Sequence, residues 1–139
     1  PLPSLRGAGR LVCHPDLFQR VMDLAPSPRN AIQFCVGTVS EMPGADVYEA
    51  VDRYSRAGRI AYVHLRNVRG RAPRYHETFV DEGDTDMLRV LRILRRNGFR
   101  GVVIPDHAPL LDCAAPWHAG MAYTLGWMRA AITVAQEAL

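Results

Sequence analysis

Cys35, His64, Asp106 and His107 have the most chemistry to offer, because each stands at or beside the end of a short apolar run. Cys35 lies near the end of AIQFCV, His64 near the end of IAYVHL, and Asp106 and His107 directly follow GVVIP. In parallel α/β proteins reactive groups gather where strands end and the following loops begin. A thiolate, an imidazole and a carboxylate delivered to one rim can hold a divalent transition metal, and such a mixed set is less committed to zinc than an all-sulfur one. Each residue also has a plain structural explanation, since a buried cysteine is usually core packing and a strand histidine a satisfied interior group.

Reaching a common rim requires a parallel sheet, and the periodicity of the chain predicts one. Helices are expected over Pro15–Leu24, Asp46–Ala57, from Asp84 or Thr85 to Asn97, and from near His118 to the end; strands are expected over Ala31–Val36, Ile60–Leu65 and Gly101–Pro105. Parallel strands need crossover helices, and the alternation of the two supplies them. Arg66–Gly83 reads as one long polar loop and Asp106–Pro116 as another; loops of that length often carry function.

Composition narrows the chemistry. The chain has 139 residues, 48% hydrophobic and 22% charged, which suits one globular domain. All 17 basic residues are arginine. Without lysine, Schiff-base catalysis, a P-loop and a protein kinase are excluded. The three cysteines show no C-x-x-C spacing and no apolar leader opens the chain, so a reducing cytoplasm is expected. The apolar stretch from Ala114 is interrupted by His118 and Arg129 and falls short of the roughly 20 residues of a membrane span, so no membrane partner is expected.

Four segments in order, PSPRNAIQFCVGT, RIAYVHLRNV, YHETFVDEGDTDM and VIPDHAP, resemble the C-terminal half of mannonate dehydratases. The resemblance implies an α/β fold that is part of a (β/α)₈ TIM barrel of the xylose-isomerase-like type, with residues 1–139 as one C-terminal half-barrel segment. It implies a metal-dependent lyase that removes water from D-mannonate to give 2-keto-3-deoxy-D-gluconate in hexuronate breakdown. By position, Cys35, His64 and Asp106 correspond to metal ligands, with Mn²⁺ or Fe²⁺ as the ion, and His107 to the acid–base histidine. Arg66, Asn67, His76 and Glu77 correspond to the pocket for a small sugar-acid substrate, where a guanidinium suits a carboxylate bidentately.

Two departures accompany the resemblance. The family's fourth ligand, a histidine of an HPDD-type motif, would fall before Pro1, and a glycine-flanked tyrosine common after the PDH segment has no match among Leu110–Met121. The His14-Pro15-Asp16 triplet only mimics the missing motif, because it follows PLPSLRG and opens a helix. The fragment on its own is therefore expected to be weakly active or inactive, and to associate with a second copy or with the missing N-terminal half. The unusually apolar last helix, including Met121, Leu125, Trp127, Met128 and Ile132, points the same way, since it expects cover on more than one side.

Two other readings compete. Arg66, Arg69, Arg71 and Arg74 beside Tyr75 suggest a nucleic-acid module, but a net charge of +3 and the acidic residues Glu77, Asp81, Glu82 and Asp84 argue against nucleic acid. A non-catalytic barrel fragment acting as an assembly unit is the other. Hydrolysis by Cys113 with His107 lacks any nucleophile-elbow signature.

Overall fold

A computed structural model describes residues 2–137; the expectations that concern Pro1 and the last two residues of the final helix lie outside them. A small hairpin, β1 (Ser4–Leu5) and β2 (Ala8–Gly9), precedes α1 (Leu17–Leu24). There follow β3 (Ile32–Cys35), α2 (Val36–Ser40), α3 (Val47–Arg56) and β4 (Ile60–His64). The chain continues through β5 (Asn67–Arg71), β6 (Arg74–Thr78), α4 (Met87–Arg96), β7 (Val102–Ile104) and α5 (Pro116–Glu137).

The sheet that positions the site is three-stranded and parallel, in the order β3-β4-β7. Its register aligns Cys35 with His64 and His64 with Ile104. The pairing steps from Ile32↔Ile60 to Gln33↔Tyr62, so Ala61 has no partner on β3 and forms a bulge. Alternation along the strands sends Phe34 and Val63, both 0% exposed, to the core with α3 and α4. The opposite face carries Gln33, Tyr62 and Val102 in one layer and Cys35, His64 and Ile104 in the next. That first layer is open, with Tyr62 39% and Val102 63% exposed.

The helices form for local reasons. Asp46 accepts hydrogen bonds from the Tyr48 and Glu49 amides at the start of α3, and Asp86 accepts one from Arg89 at the start of α4. The cap of α4 is thus Asp86, two residues later than Asp84 and one later than Thr85. α3 and α4 are clasped by Asp52, which accepts from Arg96 and Asn97 across the helix pair. α5 buries one stripe, Gly120, Met121, Thr124, Met128, Ala131 and Ala135, and leaves Leu125 and Val134 exposed. No described helix is long and apolar enough to cross a membrane.

The segment Arg66–Gly83 departs from the expected loop. It folds into the antiparallel hairpin β5–β6, anchored by long-range bonds that periodicity does not register. The Ala72 amide donates to the Glu41 carbonyl, the Gly70 amide to Asp84 Oδ2, and Arg71 to the carbonyls of Met42 and Ala45.

Candidate metal centre

Three ligand atoms from three strand ends converge. One donor atom each from Cys35, His64 and Asp106 lies within 4.8 Å of the others, the one such group found among the described residues. Cys35 donates its S–H to Asp106 Oδ2 at 3.7 Å, and His64 Nδ1 lies 3.4 Å from Asp106 Oδ1. All three side chains are half-buried. The convergence follows from the register: Cys35 and His64 are paired residues on one face, and Asp106 comes two positions after Ile104, which pairs with His64. Soft sulfur, borderline imidazole and hard carboxylate, packed this closely, fit a divalent transition metal.

Around this trio lies a second set of contacts. His107 Nδ1 is 2.7 Å from Glu77 Oε2, and His107 Nε2 is 3.5 Å from Asp106 Oδ2. Arg66, 7% exposed, directs one terminal nitrogen to Glu77 Oε1 at 2.7 Å and the other to Thr38 Oγ1 at 3.0 Å and Glu41 Oε2 at 3.4 Å. Burial works against the Arg66 charge, but Cys35, Glu41 and Glu77 outweigh it and hold the guanidinium above its ordinary pKa. Burial pushes the Glu41 carboxyl up, against the pull of Arg66. Tyr75 joins the same group: burial and the neighbouring Glu41 charge raise its phenol.

The residues expected in the substrate pocket separate. Arg66 and Glu77 border the metal trio. Both terminal nitrogens of Arg66 are already taken by this chain's own side chains, so it does not offer the free bidentate fork that a carboxylate would need. Asn67 is 1% exposed and turned inward. Its amide donates to the Val80 and Thr85 carbonyls, and its oxygen accepts from the Val68 and Thr85 amides. His76 is exposed and pairs with Arg69, one step along the strand from Glu77 and therefore on the other face of the hairpin.

Glu41 carries no signal in its sequence context, and Tyr75 stands out there only as an aromatic among arginines. Glu41 follows a short apolar turn and looks like an ordinary surface acid; only Arg66, 25 residues on, explains its burial. The His14-Pro15-Asp16 triplet is structural. Pro15 is buried and its carbonyl accepts from the Tyr54 hydroxyl, while Asp16 pairs with Arg53. Cys113 is exposed in the turn before α5. On α4, Arg96 is paired with Asp52 and Arg89 stacks on Tyr48 at 3.9 Å, a self-contained helix face.

Comparison with known proteins identifies relatives of the chain. The family model for D-mannonate dehydratase (UxuA) matches residues 1–131. The mannonate dehydratase of Lactococcus lactis subsp. cremoris is 31% identical over 116 residues, covering 80% of this chain and 32% of that protein. That of Thermotoga petrophila is 28% identical over 113 residues, 78% of this chain and 31% of the relative. The chain thus spans about a third of the length of the curated relatives it matches. Among solved structures, mannonate dehydratase from Streptococcus suis serotype 2 superposes with a TM-score of 0.86 at 24% identity, covering 97% of this chain and 41% of that one. A xylose isomerase domain protein from Planctomyces limnophilus gives 0.73 at 17% identity, covering 88% and 45%. These likenesses place the mixed α/β fold with TIM-barrel proteins, as part of such a barrel. With a family match along nearly its whole length and a relative 31% identical over 80% of it, the chain belongs to the D-mannonate dehydratase family.

Proposed function

We propose that this chain is the C-terminal half of a barrel that dehydrates D-mannonate to 2-keto-3-deoxy-D-gluconate, acting in the cytoplasm, with Cys35, His64 and Asp106 as ligands of Mn²⁺ or Fe²⁺. The observation that carries the reading is the meeting of those three ligands within 4.8 Å, with His107 beside Asp106. A divalent ion there supplies positive charge against the negative charge that develops next to the carboxylate as C2 loses its proton.

The remaining work falls to the chain's own residues. Glu77 holds the His107 ring through Nδ1, which leaves Nε2, the nitrogen nearer Asp106, to carry a proton to the departing C3 hydroxyl. Arg66 stands on the far side of Glu77 and fixes that carboxylate's second oxygen. Substrate enters at the strand-end rim beside the trio, and a further polypeptide, either a second copy or an N-terminal half, covers the open sheet face. Arginine-mediated nucleic-acid binding plays no part in this proposal.

The test is formation of 2-keto-3-deoxygluconate from D-mannonate after chelation and reloading with Mn²⁺ or Fe²⁺, measured for the 139-residue chain alone and joined to a barrel's N-terminal half. Activity that needs the second half and is lost in Cys35→Ala and His64→Ala supports the proposal. A reconstituted protein that leaves mannonate unchanged overturns it.

A further inference from the structure

Arg66 Nε is the one buried side-chain nitrogen or oxygen without a hydrogen-bond partner among the described residues. It lies 3.3 Å from Asp106 Oδ2, out of line for a bond, although Arg66 is more than nine-tenths buried. Leaving a charged donor unpaired in the interior is costly, so such an atom calls for an acceptor.

The guanidinium is held from every other side. Glu77 takes one terminal nitrogen, and Thr38 and Glu41 take the other. Gly37 lets the group lie flat against the backbone, since a Cβ there would stand 2.7 Å from Nε and 3.0 Å from Cζ. This socket aims Nε at the edge of the site where the Cys35 sulfur and the Asp106 carboxylate meet.

We propose that Arg66 is a positioning residue of the metal centre: its Nε–H is reserved for the two anionic ligands, Cys35 and Asp106, and not for the substrate's carboxylate. The inference rests on the metal-centre reading of the preceding section. Once an ion takes up the sulfur as thiolate and one carboxylate oxygen, the ligands retain lone pairs facing Arg66, and a small rotation gives Nε–H its missing partner. Residues of this kind, which orient ligands without touching the metal, typically change metal affinity by about 10–100-fold when removed. The arrangement also explains why two glutamates flank an arginine beside a cation-binding site: they orient it and offset its charge, so that it does not compete with the ion for the ligands.

Binding of Co²⁺ to the 139-residue chain, read from the thiolate-to-metal absorption band, tests the inference without requiring turnover. Arg66→Gln should weaken Co²⁺ binding by about 10–100-fold and shift the band. Arg66→Lys should not restore either, because an ammonium cannot fill the socket and reach the ligands together. Gly37→Ala, which keeps the charge but crowds Nε, should shift the band in the same sense. The wild-type chain gives an answer independent of any variant's folding: on loading with Zn²⁺, the Arg66 Nε–H resonance should move downfield and exchange more slowly with water. An unmoved Nε–H, or variants that bind Co²⁺ as the wild type does, would overturn the assignment while leaving the metal centre intact. A wild-type chain that captures neither ion would remove the metal centre and this role with it.

Discussion

Glu77 stands between Arg66 and His107, with Oε1 2.7 Å from the guanidinium and Oε2 2.7 Å from the imidazole Nδ1. One carboxylate therefore orients both a buried cation and the histidine proposed to move a proton. Glu77→Gln should keep the size of the side chain but lose the preference for a proton on Nδ1. In the reconstituted enzyme at saturating Mn²⁺, kcat for mannonate should fall by about 10²-fold with KM changed much less. A loss confined to KM would place Glu77 in substrate binding alone.

Asn67 should prove to be a structural residue. Its buried amide is committed to the Val80 and Thr85 carbonyls, so Asn67→Ala leaves backbone acceptors unpaired and is expected to cost about 1–3 kcal/mol in urea unfolding. The free energy should fall with little change in the denaturant slope.

The clasp at Asp52 makes stability depend on acid. Hydrogen bonds from Arg56, Asn97 and Arg96 hold its carboxyl far below the ordinary aspartate value of 3.8. Because the folded pKa is the lower one, the contribution is complete above 3.8 and is lost as the pH falls below it. The thermal midpoints of wild type and Asp52→Asn should differ at pH 6 and converge towards pH 2; a gap independent of pH would show that charge is not what the clasp uses.

Gly126 offers the opposite experiment. It lies inside α5 with nothing within 4 Å of the position a Cβ would take. Gly126→Ala should stabilise the chain by about 0.5–1 kcal/mol through reduced backbone entropy of the unfolded state. A destabilisation would mean that another surface already packs against this part of the helix.

Association should be visible directly. Val102 on the open sheet face and Leu125 and Val134 on α5 are exposed, and apolar surface of this kind is buried at about 25 cal/mol per Å². Sedimentation across a dilution series should show a concentration-dependent dimer or larger species. One sedimentation coefficient at every concentration would count against the proposed partner.

How far the sequence foretold this arrangement depends on the range of the forces involved. α3 and α4 were legible because an apolar stripe and a following glycine, Gly58 or Gly98, lie within a few turns of one another, although the cap of α4 falls at Asp86. The convergence of Cys35, His64 and Asp106 was legible because strand ends are where a parallel sheet exposes its side chains. The β5–β6 hairpin was hidden: its strands carry charge on both faces, and its anchors run to Glu41, Met42 and Asp84 in other parts of the chain. Asn67 illustrates the same limit, since the family resemblance suggested a pocket while the loop closing over it at Val80–Thr85 draws the side chain inward.

The unopposed residue Ala61 has a consequence for how the gene can change. Were Ala61 instead paired with Gln33 in an unbulged register, Cys35 would stand opposite Val63, whose side chain belongs to the packed face, and not opposite His64. A single-codon insertion or deletion between Tyr62 and His64 would thus separate sulfur from imidazole, because side chains change faces with each step, whereas loss of Ala61 itself would only remove the bulge. Length between Tyr62 and His64 is constrained by the Cys35–His64 juxtaposition as well as by packing, and insertions or deletions there should be far less tolerated than changes at Ala61 itself.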